Sequence, residues 1–217
     1  EVRMGKSIRL VLPAVLVLVA AGAAWHGGWA TITVEDLPDH LTAGQTVNLA
    51  FTVRQHGREL ANGLNPIVNA QVAEREVEVR ARAAGTGRYT AALTVPHTGD
   101  AAITIQTDFR GSRVKLVPIR TITSGTAPPA LAPYETGRRL FVAKGCLVCH
   151  VHAAAPAEMG VPLGPDLTER RYPAAYLQQL LREPGATLKS ANALAMPNLG
   201  LKAHEIDALT AFINAAR

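Results

Sequence analysis

Cys146-Leu147-Val148-Cys149-His150 places two thiols three residues apart, with an imidazole directly after the second. Three chemistries use such a pair. A redox dithiol needs only the two cysteines. Zinc asks for four ligands, usually from two such pairs, and the chain has no third cysteine. Covalent haem attachment uses all three residues. On a helical turn, positions i, i+3 and i+4 share a face. Two thiols there can form thioethers to the haem vinyl groups while the imidazole is aimed at the iron. The motif also lies downstream of an export-like segment, which favours this reading. One haem c is therefore expected, held by Cys146 and Cys149, with His150 as an axial ligand.

The opposite axial ligand is expected at Met196, in the irregular stretch Ala195-Met196-Pro197-Asn198 before the last apolar helical pattern. Methionine is also an ordinary core filler. Met4 precedes the apolar N-terminal run, and Met159 is too near His150 in sequence to wrap around the cofactor. His204 is the alternative, since histidine also ligates haem iron. His152 reads as a surface residue. Lys144, Lys189 and Lys202 could ring an exposed haem edge and attract an acidic partner, or could be scattered solvated lysines.

The elements that must position these residues fall into four segments. Arg3, Lys6 and Arg9 precede an uncharged run from Leu10 to Trp25, so the N-terminus is expected in the cytoplasm and the rest outside. A cleaved signal peptide is open as a reading, with Ala21-Gly22-Ala23 as small residues near its end. A retained anchor over residues 1–29, membrane-embedded through 8–29, is the favoured one, although its apolar core is short against about 20 residues. Residues 30–122 alternate with period two at Val47, Leu49, Phe51 and Val53, and again at Tyr89, Ala91, Leu93 and Val95. Glycine-bearing turns separate such runs, which predicts an antiparallel β-sandwich. Residues 123–133 form a Pro-rich, semi-rigid linker. From residue 134 the period becomes helical. Helices are expected over Glu135 to Gly145, from Pro173 to a stop at Pro184-Gly185, and from Ala203 to Ala216.

Residues 134–217 resemble a class I cytochrome c domain. The residues that carry the likeness are Gly137 and Phe141 before the Cys146–His150 motif, then Gly164-Pro165-Asp166-Leu167, then Met196-Pro197, then Glu205 to Leu209. The resemblance implies that Gly137 lets the first and last helices cross closely near Phe212. It also implies that the Pro165 carbonyl accepts a hydrogen bond from His150, which orients the ring and raises its basicity. Relatives place Ser or Thr three residues before Glu205 as a helix cap. Lys202 stands there instead, a departure worth about 1 kcal/mol. Residues 30–122 are similar to the small immunoglobulin-like domains of the FixH-like and YtkA-like group. The carrying residues are Ala43-Gly44-Gln45, Pro66 to Ala70 and Gly87 to Ala91. Ala101-Ala102 replaces the Trp often found there. The expected whole is multidomain: a transmembrane helix, an all-β immunoglobulin-like sandwich and an all-α cytochrome c domain.

Composition narrows the function. The net charge of +5 comes without a dense basic run interleaved with aromatics, which gives no support to nucleic-acid binding. Residues 30–122 contain neither cysteine nor methionine, which rules out the dicopper centre of oxidase subunits with a similar plan. His40, His56 and His97 read as surface residues without convergence. With His150 and Met196 both on the iron, no position is open for a small-molecule substrate. His/Met ligation favours Fe(II) and a fairly high potential. The expectation is a non-enzymatic, single-pass protein of the cytoplasmic (inner) membrane with its C-terminal domains in the periplasm or outside. It would relay single electrons within a membrane redox complex: an oxidase, a quinol-oxidising complex or a reaction centre. A free-standing anchored shuttle, and a haem-based redox or gas sensor or assembly factor, are the alternatives.

Overall fold

A computed structural model of the chain describes residues 28–156, 163–188 and 196–215. Among these residues no helix is long and apolar enough to cross a membrane. The anchor expected over 1–29 lies outside them, apart from Gly28 and Trp29. Trp29 packs edge-on against His56, with ring centroids 5.7 Å apart, and its carbonyl accepts the His56 N–H. It thus sits against the β-region.

Eleven strands follow: β1 (Ala30–Val34), β2 (Leu41–Thr42), β3 (Thr46–Gln55), β4 (Glu59–Leu60), β5 (Ile67–Val72), β6 (Arg75–Arg80), β7 (Arg82–Gly85), β8 (Arg88–Thr94), β9 (Gly99–Gln106), β10 (Arg113–Lys115) and β11 (Ile119–Ile122). One sheet runs β1-β3-β8-β7, with β4 on β3. The other runs β2-β11-β9-β5-β6, with β10 on β9. Alternate residues point inward, as a two-residue period requires. Leu49, Phe51 and Val53 of the first sheet share one core with Val68, Ile103 and Ile105 of the second. Pairing is antiparallel except between β2 and β11, which run parallel with Thr121 opposite Leu41. The purely antiparallel expectation is corrected there. A two-residue strand carries too little pattern to announce its direction.

β1 breaks the alternation, because all five of its residues are buried. Ile32 and Val34 enter the sandwich core. Thr31 and Thr33, which pattern as an outer face, are covered by the helical region. Helix α1 (Pro133–Ala143) begins two residues earlier than the sequence pattern indicates, because Pro133 fits the first helical turn, where no N–H is needed. It ends at Gly145, whose φ of 77° is the left-handed conformation that closes a helix C-terminus. A 3-10 turn (Cys146–Val148) follows. Helix α2 (Ala174–Arg182) buries Leu177 and Leu181, while Tyr176 stays exposed. Pro184 both stops α2 and opens the short α3 (Pro184–Leu188), since the residue before a proline is held extended. Helix α4 (Ala203–Ile213) ends before the expected Ala216, with Asn214 as its cap.

The α1–α4 crossing organises the helical core. A Cβ on Gly137 would lie 2.6 Å from Cβ of Phe212 and overlap the Ala208 carbonyl, so no other residue allows this approach. Phe141 and Phe212 pack with centroids 5.4 Å apart, and both are fully buried.

Candidate metal centre

The attachment motif is one tight turn at the end of α1. The His150 N–H donates to the Cys146 carbonyl at 2.9 Å, and the Cys149 N–H to the same oxygen at 3.2 Å. No disulfide joins the two cysteines, and both are partly buried. A redox dithiol works through a thiolate with a lowered pKa. Here the opposite holds. Burial, with the second thiol beside it, pushes Cys146 up to about 12, and burial pushes Cys149 upward as well. Thiols pushed upward in this way are poorly suited to exchange, and the imidazole directly after them is the third residue that haem attachment uses.

The Gly164-Pro165-Asp166-Leu167 loop is laced to this turn. The Gly164 N–H donates to the Cys149 carbonyl and the Leu167 N–H to the Val151 carbonyl, both at 2.8 Å. The Pro165 carbonyl lies 3.0 Å from His150 Nδ1. A carbonyl only accepts, so Nδ1 carries the proton and Nε2 keeps a lone pair. Burial also lowers the His150 pKa, against a smaller opposing effect of the Pro165 bond. A Cβ on Gly164 would overlap the imidazole, so the loop can lie against the ring only with glycine there. Asp166 accepts the Thr168 N–H at 2.8 Å and keeps the loop folded.

Met196 packs against the helical core that also contains Phe141, Leu177, Leu209 and Phe212, with Cys146 and Leu147 at its edge. His204 is elsewhere. It is exposed on the first turn of α4 and lines a cleft of ≈240 Å³ with Asp36, Asp39 and Arg139. An imidazole with Nε2 free, a thioether packed on the helical core that Cys146 also borders, and two thiols on the imidazole's own turn are a donor set that fits haem c.

Two expectations about side chains are corrected. His152 is buried, 6% exposed, with its ring 4.2 Å from Phe212 and 5.8 Å from Phe141. Val151 is 49% exposed, whereas the His152 ring is drawn inward by its packing on Phe141 and Phe212. The lysines do not form a free ring. Lys144 is 5% exposed, and its ammonium bonds Glu205 at 2.8 Å and the Glu35 carbonyl at 2.6 Å. Lys202 is paired with Asp36. Lys189 and Met159 lie outside the described residues. Among those residues no group of histidine and acidic side chains is placed to hold a separate metal ion, and His40, His56 and His97 do not converge.

Sequence reasoning also missed the clamp that closes the domain. The Tyr172 N–H donates to Asn214 Oδ1 at 3.0 Å, and Asn214 Nδ2 donates to the Tyr172 carbonyl at 2.9 Å. An Asn after a helical pattern was the available signal.

Residues 134–217 match the family model described as Cytochrome c. This region is a cytochrome c domain, and the chain carries covalently bound haem c. No curated protein matches the chain. Among solved structures it is similar to the S-layer protein SbsC domains 4 and 5, at 21% identity and a TM-score of 0.33. That match covers 43% of this chain and 51% of the other, so the chain spans about half the length of that relative. A likeness of this size carries no argument about the fold or role of the β-region.

Proposed function

We propose that this chain is a membrane-anchored monohaem cytochrome c that relays single electrons inside a membrane redox complex on the periplasmic or outer face of the cytoplasmic membrane. The observation that carries the reading is the state of His150. Its Nδ1–H is engaged by the Pro165 carbonyl, so Nε2 is the nitrogen left to act as a ligand. Haem c supplies a one-electron iron couple when bound.

The protein's own groups then do three things. Cys146 and Cys149 would hold haem c through thioether bonds. His150 would supply Nε2 as a ligand, its basicity raised by the bond to Pro165. Met196 would supply Sδ as the second ligand and favour the reduced state, because a thioether is soft and uncharged. With both ligands drawn from the chain, the role is electron relay rather than catalysis at the haem. The uncharged run of residues 10–25 behind three basic residues supports the membrane tether. The β-sandwich, of the small immunoglobulin-like kind, is an accessory module that places the cytochrome domain beside its partner complex.

Met196→Ala tests the assignment. The reduction potential should fall, and the ferrous spectrum should become sensitive to carbon monoxide. A variant with its full potential retained would remove Met196 from the iron. Extraction of the native protein from membranes in mild detergent should bring an oxidase, a quinol-oxidising complex or a reaction centre with it. Recovery of the chain alone would favour a free-standing shuttle.

A further inference from the structure

We propose that the face of the cytochrome domain bearing Lys144 and Lys202 is docked on the β-sandwich of the same chain, and that Lys144 is the residue that positions one on the other. The two then move as a single body rather than swinging on the 123–133 linker.

The seam is continuous and chemically specific. Val142 and Ala143 of α1 are completely buried and belong to the sandwich core, not to the helical one. Leu37 and Leu147 touch both cores. Leu147 lies between the two haem-attachment cysteines, so the sandwich packs directly against the attachment turn. Gly145 is pressed against the Ile32 carbonyl, where a Cβ would stand 3.1 Å away.

Around this apolar strip lie four polar links across the seam. The Thr33 hydroxyl donates to the Lys144 carbonyl at 3.4 Å. The Lys144 ammonium donates to the Glu35 carbonyl at 2.6 Å. Arg139 Nη1 donates to the Asp39 carbonyl at 2.9 Å. Lys202 pairs with Asp36, which holds the Asp36 carboxyl below its usual range, mainly through that hydrogen bond.

Lys144 is the keystone because its buried ammonium is shared between an ion pair within the cytochrome domain and the Glu35 carbonyl across the seam. Its side chain and that of Glu205 are each 5% exposed and meet at 2.8 Å. Glu205 in turn accepts the Lys202 N–H at 2.9 Å and caps α4. One ammonium therefore joins α1, the start of α4 and the loop after β1. A buried charge is held by all its partners together, and opening the seam would take the Glu35 carbonyl from this ammonium and leave Glu205 as its remaining partner. A cytochrome domain free to swing would expose Val142 and Ala143 and break all four links together.

The inference adds to the electron-transfer reading a fixed direction for the haem relative to the sandwich. Its test is a distance, so it can fail while electron transfer stands. Spin labels are placed at Glu78→Cys on the sandwich and Arg182→Cys on α2 of the haem-loaded full chain, and their separation is measured by pulsed dipolar spectroscopy. One narrow distribution is expected, unchanged between the reduced and oxidised protein. A broad or two-peaked distribution overturns the single body.

The double variant Lys144→Met, Glu205→Gln removes the cross-seam bond without stranding a carboxylate. Its distribution should broaden while its haem absorption spectrum stays that of the parent. If the spectrum is kept and the distribution stays narrow, the single body holds, but Lys144 is not what positions it.

Discussion

The sandwich and the cytochrome domain bury different things. Among the described residues, the buried polar side chains of the sandwich are threonines: Thr31, Thr33, Thr107 and Thr121. The helical region buries Arg139, Lys144, His152, Glu205 and Thr210. The sandwich is specified by a repeating pattern, in which each inward residue needs only to be apolar and of suitable size. The cytochrome domain is specified by individual pairings: an ammonium against a carboxylate, an imidazole against a carbonyl, a glycine against a helix. A patterned core degrades gradually under substitution. A paired core fails at particular residues, because one missing partner leaves a buried polar group unsatisfied.

The largest effect expected from this contrast is at the seam. Lys144→Met leaves Glu205 buried without its cation, at a cost of about 3–5 kcal/mol. Chemical denaturation followed by haem absorbance should show it in the cytochrome domain. The double variant with Glu205→Gln should recover most of the loss. Recovery of none would mean that the cost lies elsewhere than in the stranded charge. Gly137→Ala comes next. The added methyl meets the Ala208 carbonyl and Phe212, and overpacking of this kind costs about 1–3 kcal/mol. The loss should be confined to the cytochrome transition, with the sandwich transition unmoved. A shift in both would show that α1 transmits the strain across the seam.

The smallest effect tests the outer face of the sandwich. Arg88 holds the Glu35 carboxyl below its ordinary value, chiefly by its hydrogen bond, with both guanidinium contacts at 2.7 Å. A lowered carboxyl pKa stabilises the fold above the unfolded value, and the gain is lost as the pH falls through the folded value. Glu35→Gln should therefore melt slightly below the parent at neutral pH and converge with it in acid. A gap that widens in acid contradicts this sign. The effect is small because the pair is largely exposed.

Legibility in the sequence followed the range of the interaction. The Cys146–His150 turn spans five residues and could be read from spacing alone. The β3 and β8 faces follow from strict alternation at Leu49, Phe51, Val53, Tyr89, Ala91 and Leu93. Gly137 and Pro165 were placed by resemblance, and the geometry sets them against α4 and against His150. Lys144 and Lys202 were read as free surface charge. Their β-region partners lie more than a hundred residues away in the chain, Glu35 109 residues before Lys144 and Asp36 166 residues before Lys202. His152 was read as exposed because the rings that cover it, Phe141 and above all Phe212, come from other parts of the chain.

What the sequence determined by itself is therefore local chemistry and periodicity: where haem c attaches, where strands alternate and where helices begin to repeat. Covalent spacing and backbone period are properties of a few consecutive residues. Only the tertiary structure decided what the charges and the outer face of β1 are for. A lysine carries the same charge whether it meets water, an acidic partner or a carbonyl across a seam, and burial, which selects among these, belongs to the folded whole.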